Sequence, residues 1–215
     1  MLAGHYAPAY ALKARHPDVP LWLLFLAVQA VDIAFFALVA LGVERMALVP
    51  GQRGGLALDL QHLPWTHSLA TAVVLGVGCW LAGRATGRAT LGAVIGAAVA
   101  SHWVCDLLVH VPDLPLAPGL ESPRLGLGLW RMPLVGFAVE IGLLVAAYAM
   151  ARPRLAPDRR RWGDVGVAAL VVVQVLNDFV MPPPASVASL AASGEALFLG
   201  AVLLATPVDR RAALT

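Results

Sequence analysis

Six apolar segments, each close to the length that crosses a bilayer, constrain this chain more than any other feature. They cover residues 20–41, 67–82, 91–111, 129–150, 165–181 and 187–206, and the second is the shortest. A membrane-spanning helix needs about 20 mainly apolar residues. The spacing therefore predicts an all-α protein, a polytopic membrane helix bundle of about six transmembrane helices that forms one domain over residues 1–215.

The composition excludes several other classes of protein. The chain is 60% apolar and carries a net charge of only +2, whereas disordered chains combine low hydrophobicity with high charge. It has no general basic surface, so nucleic acid is not an expected partner. Its two cysteines cannot form a disulfide framework. The expected partner is the lipid bilayer, and the oligomeric state stays open.

The charges of the loops predict an orientation. With the N-terminus inside, eleven Lys and Arg residues fall on the cytoplasmic side and four on the outer side. Positively charged loops remain in the cytoplasm, so we expect a bacterial-type inner-membrane protein with both termini cytoplasmic. Residues 152–161 supply most of this signal. We interpret them as a solvated inner loop, and binding to anionic lipid head groups is the alternative.

The third apolar segment carries a polar stripe. His102, Asp106 and His110 follow one another at four-residue spacing, which places them on one face of a helix. Histidine nitrogens and carboxylate oxygens are common ligands of zinc and similar divalent ions. A plain hydrogen bond between His102 and Asp106 would give the same spacing. The stripe alone therefore leaves both a metal site and a structural pair open.

Further polar residues lie in or beside other segments. His62 and His67 flank the start of the second segment, where Thr66 is a plausible N-cap and a helix N-terminus favours anions. Two interfacial histidines beside a tryptophan are the alternative. Asp32, in the middle of the first segment, needs a cation, a histidine or a proton as its partner. Glu140 lies at similar depth in the fourth segment and is the best candidate for a general base.

These elements, in this order, resemble the YdjM-type family of inner-membrane metal-dependent hydrolases. The matching pieces, within about residues 1–120, are Gly4-His5, Asp32, His62-x-x-x-Thr66-His67-Ser68, Ser101-His102-x-x-x-Asp106 and a loop with Pro112 and Pro115. Residues 121–215 match only as additional hydrophobic helices. The family is distantly similar to zinc-dependent phospholipase C and P1-type nucleases. The resemblance implies metal-ligand roles for His5, Asp32, His67, His102 and Asp106, and places His62 where the family also has a histidine.

Two pieces of the family pattern are absent. The family continues after its first aspartate with a second Asp and a His, whereas Ile33-Ala-Phe-Phe36 follows Asp32 here. Leu63-Pro64 stands where the family has Arg-Gly. His5 also poses a topological question, because a cytoplasmic N-terminus would be far from the outer-facing stripe. Either residues 2–16 fold into the bundle, with the site near the middle of the membrane, or His5 is not a ligand.

The expected function is that of a membrane-embedded hydrolase. It would hold a divalent metal, zinc by ligand type, and act on a lipid or lipid-linked phosphoester. A small transporter or a proton or ion pathway is one alternative, because intramembrane Asp, Glu and His also build such pathways. A non-catalytic membrane protein with a degenerate metal site is another, and the two absent motif pieces favour it.

Overall fold

The computed structural model describes residues 1–119 and 122–209. Within these residues the secondary structure is mainly helical, which confirms the predicted all-α class. The α-helices are α1 Tyr6–Arg15, α2 Leu21–Ala40, α3 Leu69–Ala85, α4 Ala89–Val109, α5 Pro133–Ala151, α6 Arg160–Val175 and α7 Val187–Asp209. Helix α6 continues into a π-helical turn over Leu176–Val180.

Five helical segments are long and apolar enough to cross a membrane, by length and composition. They are Leu21–Ala40, Ala89–Val109, Pro133–Arg154, Arg160–Val180 and Val187–Asp209. Helix α3 is also apolar but shorter, in agreement with the short second segment of the sequence. Large apolar side chains such as Val74, Leu134 and Leu203 point outward and are exposed. These are the features of an integral membrane helix bundle.

Helix α1 lies within this bundle. It packs mainly against α5 and α2, and its two tyrosines are fully buried, with the rings of Tyr6 and Tyr10 centred 4.5 and 5.4 Å from the ring of Phe25. Of the two alternatives left open for His5, the structure therefore shows the first, because residues 2–16 fold into the bundle.

Helices α3 and α4 approach each other most closely, because glycines face each other across their interface. Gly76 lies against the backbone of Gly96, and Gly83 lies against that of Gly92, so that a Cβ atom at Gly96 would overlap the Gly76 carbonyl oxygen. Such contacts between small residues allow two backbones to pack tightly in a membrane. This packing holds α4, which carries the polar stripe, in the bundle.

The two longer connections each form a small antiparallel hairpin. Strand β1 Arg45–Leu48 pairs with β2 Leu58–His62, and β3 Leu114–Pro115 pairs with β4 Arg124–Leu125. Both hairpins lie at the end of the bundle where α2 and α4 end. They cover that end of the polar stripe.

The opposite end of the bundle carries the cationic loops. Lys13 lies there in the last turn of α1, Arg84 and Arg88 flank the turn between α3 and α4, and the arginines of residues 152–161 join α5 to α6. This common location agrees with the predicted positive-inside pattern, although the side of the membrane remains a prediction. Arg210 and Arg211, and with them the predicted cytoplasmic C-terminus, lie outside the described residues.

Candidate metal centre

Five predicted ligands meet at the centre of the bundle. Nε2 of His5 lies 3.0 Å from Oδ1 of Asp106, and Nε2 of His102 lies 3.1 Å from Oδ2 of the same carboxylate. Asp32 closes the other side, with its Oδ1 atom 3.4 Å from Nε2 of both His67 and His102. We call these five residues, His5, Asp32, His67, His102 and Asp106, the His/Asp cluster.

Four local structures position the five members of the His/Asp cluster. The helical spacing of α4 puts His102 and Asp106 on one face, as the stripe predicts. Asp32 faces them from α2, and His5 ends the 3-10 turn that leads into α1. His67 directly precedes Ser68, whose Oγ atom caps α3 by accepting a hydrogen bond from Thr71 N at 3.2 Å. The expected N-cap at Thr66 is therefore wrong by two residues.

The His/Asp cluster is buried. His5, His102 and Asp106 are each 1% exposed, His67 is 4% exposed and Asp32 is 16% exposed. Two carboxylates in a largely apolar interior are costly unless a cation or a set of hydrogen-bond donors compensates for their lost hydration. Two carboxylates brought together here, Asp106 buried and Asp32 partly buried, therefore call for a cation or hydrogen-bond donors beside them.

The ring of His102 is oriented for ligation. Its Nδ1 atom lies 2.7 Å from the carbonyl oxygen of Val28. A carbonyl oxygen can only accept, so Nδ1 carries the proton and donates it. In a neutral ring the lone pair is then on Nε2, which faces Asp32 and Asp106. Metal-binding histidines commonly donate their second ring N–H to a carbonyl or carboxylate in this way.

Several nitrogens of the His/Asp cluster make no hydrogen bond to the described residues. These are Nε2 of His102 and both ring nitrogens of His5, although carboxylate oxygens lie close to them. A nitrogen lone pair that faces a carboxylate is repelled unless a proton or a metal cation lies between them. In a tetrahedral zinc site with bonds of about 2.0–2.2 Å, the ligand atoms are about 3.3–3.6 Å apart. The observed distances of 3.0–3.4 Å are close to this range.

His5 is held in place by a second histidine of the cluster. Its ring stacks on that of His102, with the centroids 3.8 Å apart. The two most buried rings of the cluster therefore hold each other in place.

Two further groups reach Asp106. Nε2 of His110 lies 3.5 Å from its Oδ1 atom, and Nδ1 of His110 lies 2.9 Å from Oδ1 of Asp113. The amino group of Met1 donates a hydrogen bond to Asp106. The sequence placed His110 on the same helix face as His102 and Asp106 but did not assign it as a metal ligand. No motif indicated the amino group of Met1.

His62 is not brought into the His/Asp cluster. It ends strand β2, opposite Arg45, and lines a small surface cleft with Asp113 and Arg124. The groups of the described residues that are placed to share a metal ion include His5, Asp32, His67, His102 and Asp106, but not His62. The expected ligand role of His62 is therefore not retained. The pairing with Arg45 holds His62 in the β1–β2 hairpin, five residues before His67.

Glu140 has a different position from the metal-ligand candidates. It is buried on α5, and its Oε2 atom accepts hydrogen bonds from Leu2 N at 2.8 Å and from Gly4 N at 3.2 Å. A Cβ atom at position 4 would overlap Sδ of Met1 and lie 3.2 Å from Cγ of Glu140, so any larger residue there would have to displace these side chains. Glu140 thus holds the segment that carries His5, and its role as a general base remains a prediction.

A cavity of about 830 Å³ leads to the His/Asp cluster. Asp32, His67 and Asp106 contribute polar groups to its lining, together with His110 and Glu140. Its apolar lining comes from α2, α5, the end of α6 and α7, and includes Phe35, Phe36, Phe137, Phe179, Leu190, Leu197 and Phe198. The arrangement can accept a mainly apolar molecule with one polar group next to the cluster.

No protein-family model, no curated protein and no solved structure matches this chain. The resemblance to the YdjM-type family therefore stays a prediction. The conclusion that stands on the structure alone is that an integral membrane helix bundle encloses a buried His/Asp group able to hold a metal ion.

Proposed function

We propose that this chain is a membrane-embedded metal-dependent hydrolase whose divalent ion is held by the His/Asp cluster. One observation carries the proposal. Unpartnered histidine nitrogens face one buried and one partly buried carboxylate beside a mainly apolar cavity. A hydrogen-bond network that served only to stabilise the bundle would pair these nitrogens, since an unpaired buried polar atom costs free energy.

Zinc is the proposed ion. Imidazole nitrogens together with carboxylate oxygens suit zinc, whereas magnesium and calcium prefer oxygen ligands alone. Two triads of the cluster are compact enough to share an ion, His5 with His102 and Asp106, and Asp32 with His67 and His102. A divalent ion in such a site acts as a Lewis acid and makes water a nucleophile at neutral pH.

The chain's own residues have separate proposed roles. The aromatic walls keep bulk water away from the reacting group. Glu140 lines the cavity beside the cluster and is the proposed general base. Its hydrogen bonds to Leu2 and Gly4 occupy Oε2 alone.

A lipid or lipid-linked phosphoester is the proposed substrate. Binding sites for small molecules have volumes of about 300–1,000 Å³ and mostly apolar walls with a few polar groups, and this cavity fits that description. An apolar chain would occupy the aromatic part, and the ester would lie beside Asp32, His67 and Asp106. The membrane setting supplies such substrates directly.

Metal content tests the first part of the proposal. The wild-type protein, purified in detergent, is compared by elemental analysis with a His102→Ala/Asp106→Ala variant and with Asp59→Asn, a control on the exposed side of β2. We expect about one or more zinc ions per wild-type chain, the same content in the control and none in the double variant. Wild-type protein that holds no metal, even after incubation with zinc, overturns the proposal.

Turnover tests the second part. A panel of lipid phosphoesters is offered to zinc-loaded wild-type protein, Leu197→Trp and Leu199→Trp. Leu197 lines the cavity, whereas Leu199 on the same helix is 50% exposed on the outer face. We expect hydrolysis that only Leu197→Trp reduces, with zinc content unchanged. Zinc binding without turnover favours a non-catalytic metal protein, and proton-coupled flux in liposomes without hydrolysis favours a transporter.

A further inference from the structure

A buried carboxylate lies just outside the His/Asp cluster. Glu44 follows α2 in the chain and is 1% exposed. Its Oε1 atom accepts hydrogen bonds from Trp65 N at 2.8 Å and Thr66 N at 3.0 Å, and its Oε2 atom accepts one from the Thr66 hydroxyl at 2.6 Å. Glu44 therefore holds the backbone and the side chain that directly precede His67.

The Thr66 hydroxyl connects Glu44 to His67. Oγ1 of Thr66 lies 2.7 Å from Nδ1 of His67 as well as 2.6 Å from the carboxylate. A hydroxyl has one proton to donate. A carboxylate can only accept, so the proton of Thr66 goes to Glu44, and Oγ1 must accept a proton from Nδ1 of His67.

This allocation of protons determines the tautomer of His67. With the proton on Nδ1, the lone pair of the neutral ring is on Nε2, which lies 3.4 Å from Oδ1 of Asp32 and 3.7 Å from Oδ2 of Asp106. The opposite tautomer would present an N–H to the cluster and could not bind a metal through Nε2. The Nδ1 atom of His102 is likewise paired with an acceptor, the carbonyl oxygen of Val28. The Nδ1 atom of His110 is paired with Oδ1 of Asp113.

We propose that Glu44, acting through the hydroxyl of Thr66, is a positioning residue that sets the tautomer of His67 and makes its Nε2 atom available as a ligand. The consequence for metal binding rests on the proposed function, whereas the tautomer itself does not. Glu44 acts at a distance from the cluster and touches neither substrate nor ion.

The Glu44→Gln variant separates this role from plain support of the loop. Glutamine keeps the size of the side chain and an oxygen that accepts from the two backbone N–H groups. Its amide group, however, donates to Oγ1 of Thr66. The hydroxyl proton then turns to Nδ1 of His67, and the ring proton moves to Nε2. Thr66→Val removes the hydroxyl that connects Glu44 to His67. Thr66→Ser keeps a hydroxyl at this position and therefore keeps the connection.

Nitrogen NMR of histidine-labelled, metal-free protein reads the tautomer directly, with His67→Asn assigning the signal. We expect a protonated Nδ1 in wild type and Thr66→Ser, an unprotonated Nδ1 in Glu44→Gln and a mixture in Thr66→Val. Zinc affinity measured on the same samples is expected to fall about 10- to 100-fold in Glu44→Gln and Thr66→Val. It is expected to stay near the wild-type value in Thr66→Ser.

The outcomes distinguish the two proposals. A wild-type protein that binds no zinc overturns the metal centre, and the tautomer measurement still decides the role of Glu44. A Glu44→Gln protein with the wild-type tautomer and affinity overturns the role of Glu44 and leaves the metal centre in place. If Glu44→Gln does not fold, the two Thr66 variants decide the role of Glu44. The same His67 tautomer and the same zinc affinity in Thr66→Val and Thr66→Ser would then overturn that role.

Discussion

His5 and Asp106 face each other, with Nε2 of the histidine 3.0 Å from Oδ1 of the carboxylate, and this contact joins the turn that precedes α1 to the last turn of α4. The contact exists because α1 packs inside the bundle, against α5 and α2. Glu140 reinforces it by holding Leu2 and Gly4. The His/Asp cluster thus draws ligands from four separate parts of the chain, which makes it sensitive to both local and distant changes.

The two histidines that flank the start of α3 are expected to differ in their effect on metal binding. His67→Ala removes a ring that faces Asp32 and Asp106, so we expect zinc affinity to fall by about tenfold or more. His62→Ala changes a residue at the end of β2 and is expected to leave the affinity unchanged. Isothermal titration with zinc measures both. Equal losses in the two variants would contradict the placement of His62 outside the cluster.

Metal removal is expected to lower thermal stability. An ion held by α2, α4 and the segments before α1 and α3 binds the folded state alone. At a free concentration of about 100 times Kd it adds about 2.7 kcal/mol to the free energy of unfolding. We therefore expect a chelator to lower the Tm of the wild-type protein. The His102→Ala/Asp106→Ala variant serves as the control, and its Tm is expected to be the same with and without chelator. A chelator that leaves the wild-type Tm unchanged speaks against a bound ion.

A buried ion pair at the cationic end is expected to contribute strongly to stability. Nζ of Lys13 donates to Oδ1 of Asp209 at 2.8 Å, and the same carboxylate accepts from Leu21 N at the start of α2. Asp209→Ala leaves the Lys13 charge without its partner, and we expect a loss of about 3 kcal/mol in the free energy of unfolding. Denaturation in mixed detergent micelles measures it.

The exposed pair between Asp158 and Arg159 provides the control. Asp158→Ala is expected to cost less than about 1 kcal/mol, because water and salt screen exposed pairs. If Asp209→Ala lowers the free energy of unfolding no more than Asp158→Ala does, the pair between Lys13 and Asp209 does not stabilise the contact of α1, α2 and α7.

The contact between α3 and α4 is expected to tolerate no side chain at Gly96. A Cβ atom there would overlap the backbone of Gly76, so Gly96→Ala must push the two helices apart, at a cost of about 1–3 kcal/mol. Gly78→Ala on α3 meets no atom within 4 Å and is expected to be neutral or slightly stabilising. Thermal denaturation of both variants checks this, and equal Tm values would contradict the close packing.

The sequence by itself determined the features that depend on local spacing. The length and apolarity of its segments predicted a membrane helix bundle, and α4 carries the stripe of His102, Asp106 and His110 because a helix repeats every 3.6 residues. The lone Asp32 in an apolar segment indicated a partner, since an unpaired carboxylate in the membrane is costly. These inferences needed no knowledge of how the helices pack.

Only the tertiary structure decided which residues meet. His5 belongs to the cluster because α1 folds into the bundle, whereas His62 stays in the β1–β2 hairpin, where it pairs with Arg45. Glu44 carries no sequence signal, since its role comes from hydrogen bonds to residues about twenty positions later in the chain. Long-range packing sets these contacts, and periodicity within one segment carries no information about the distance between two segments.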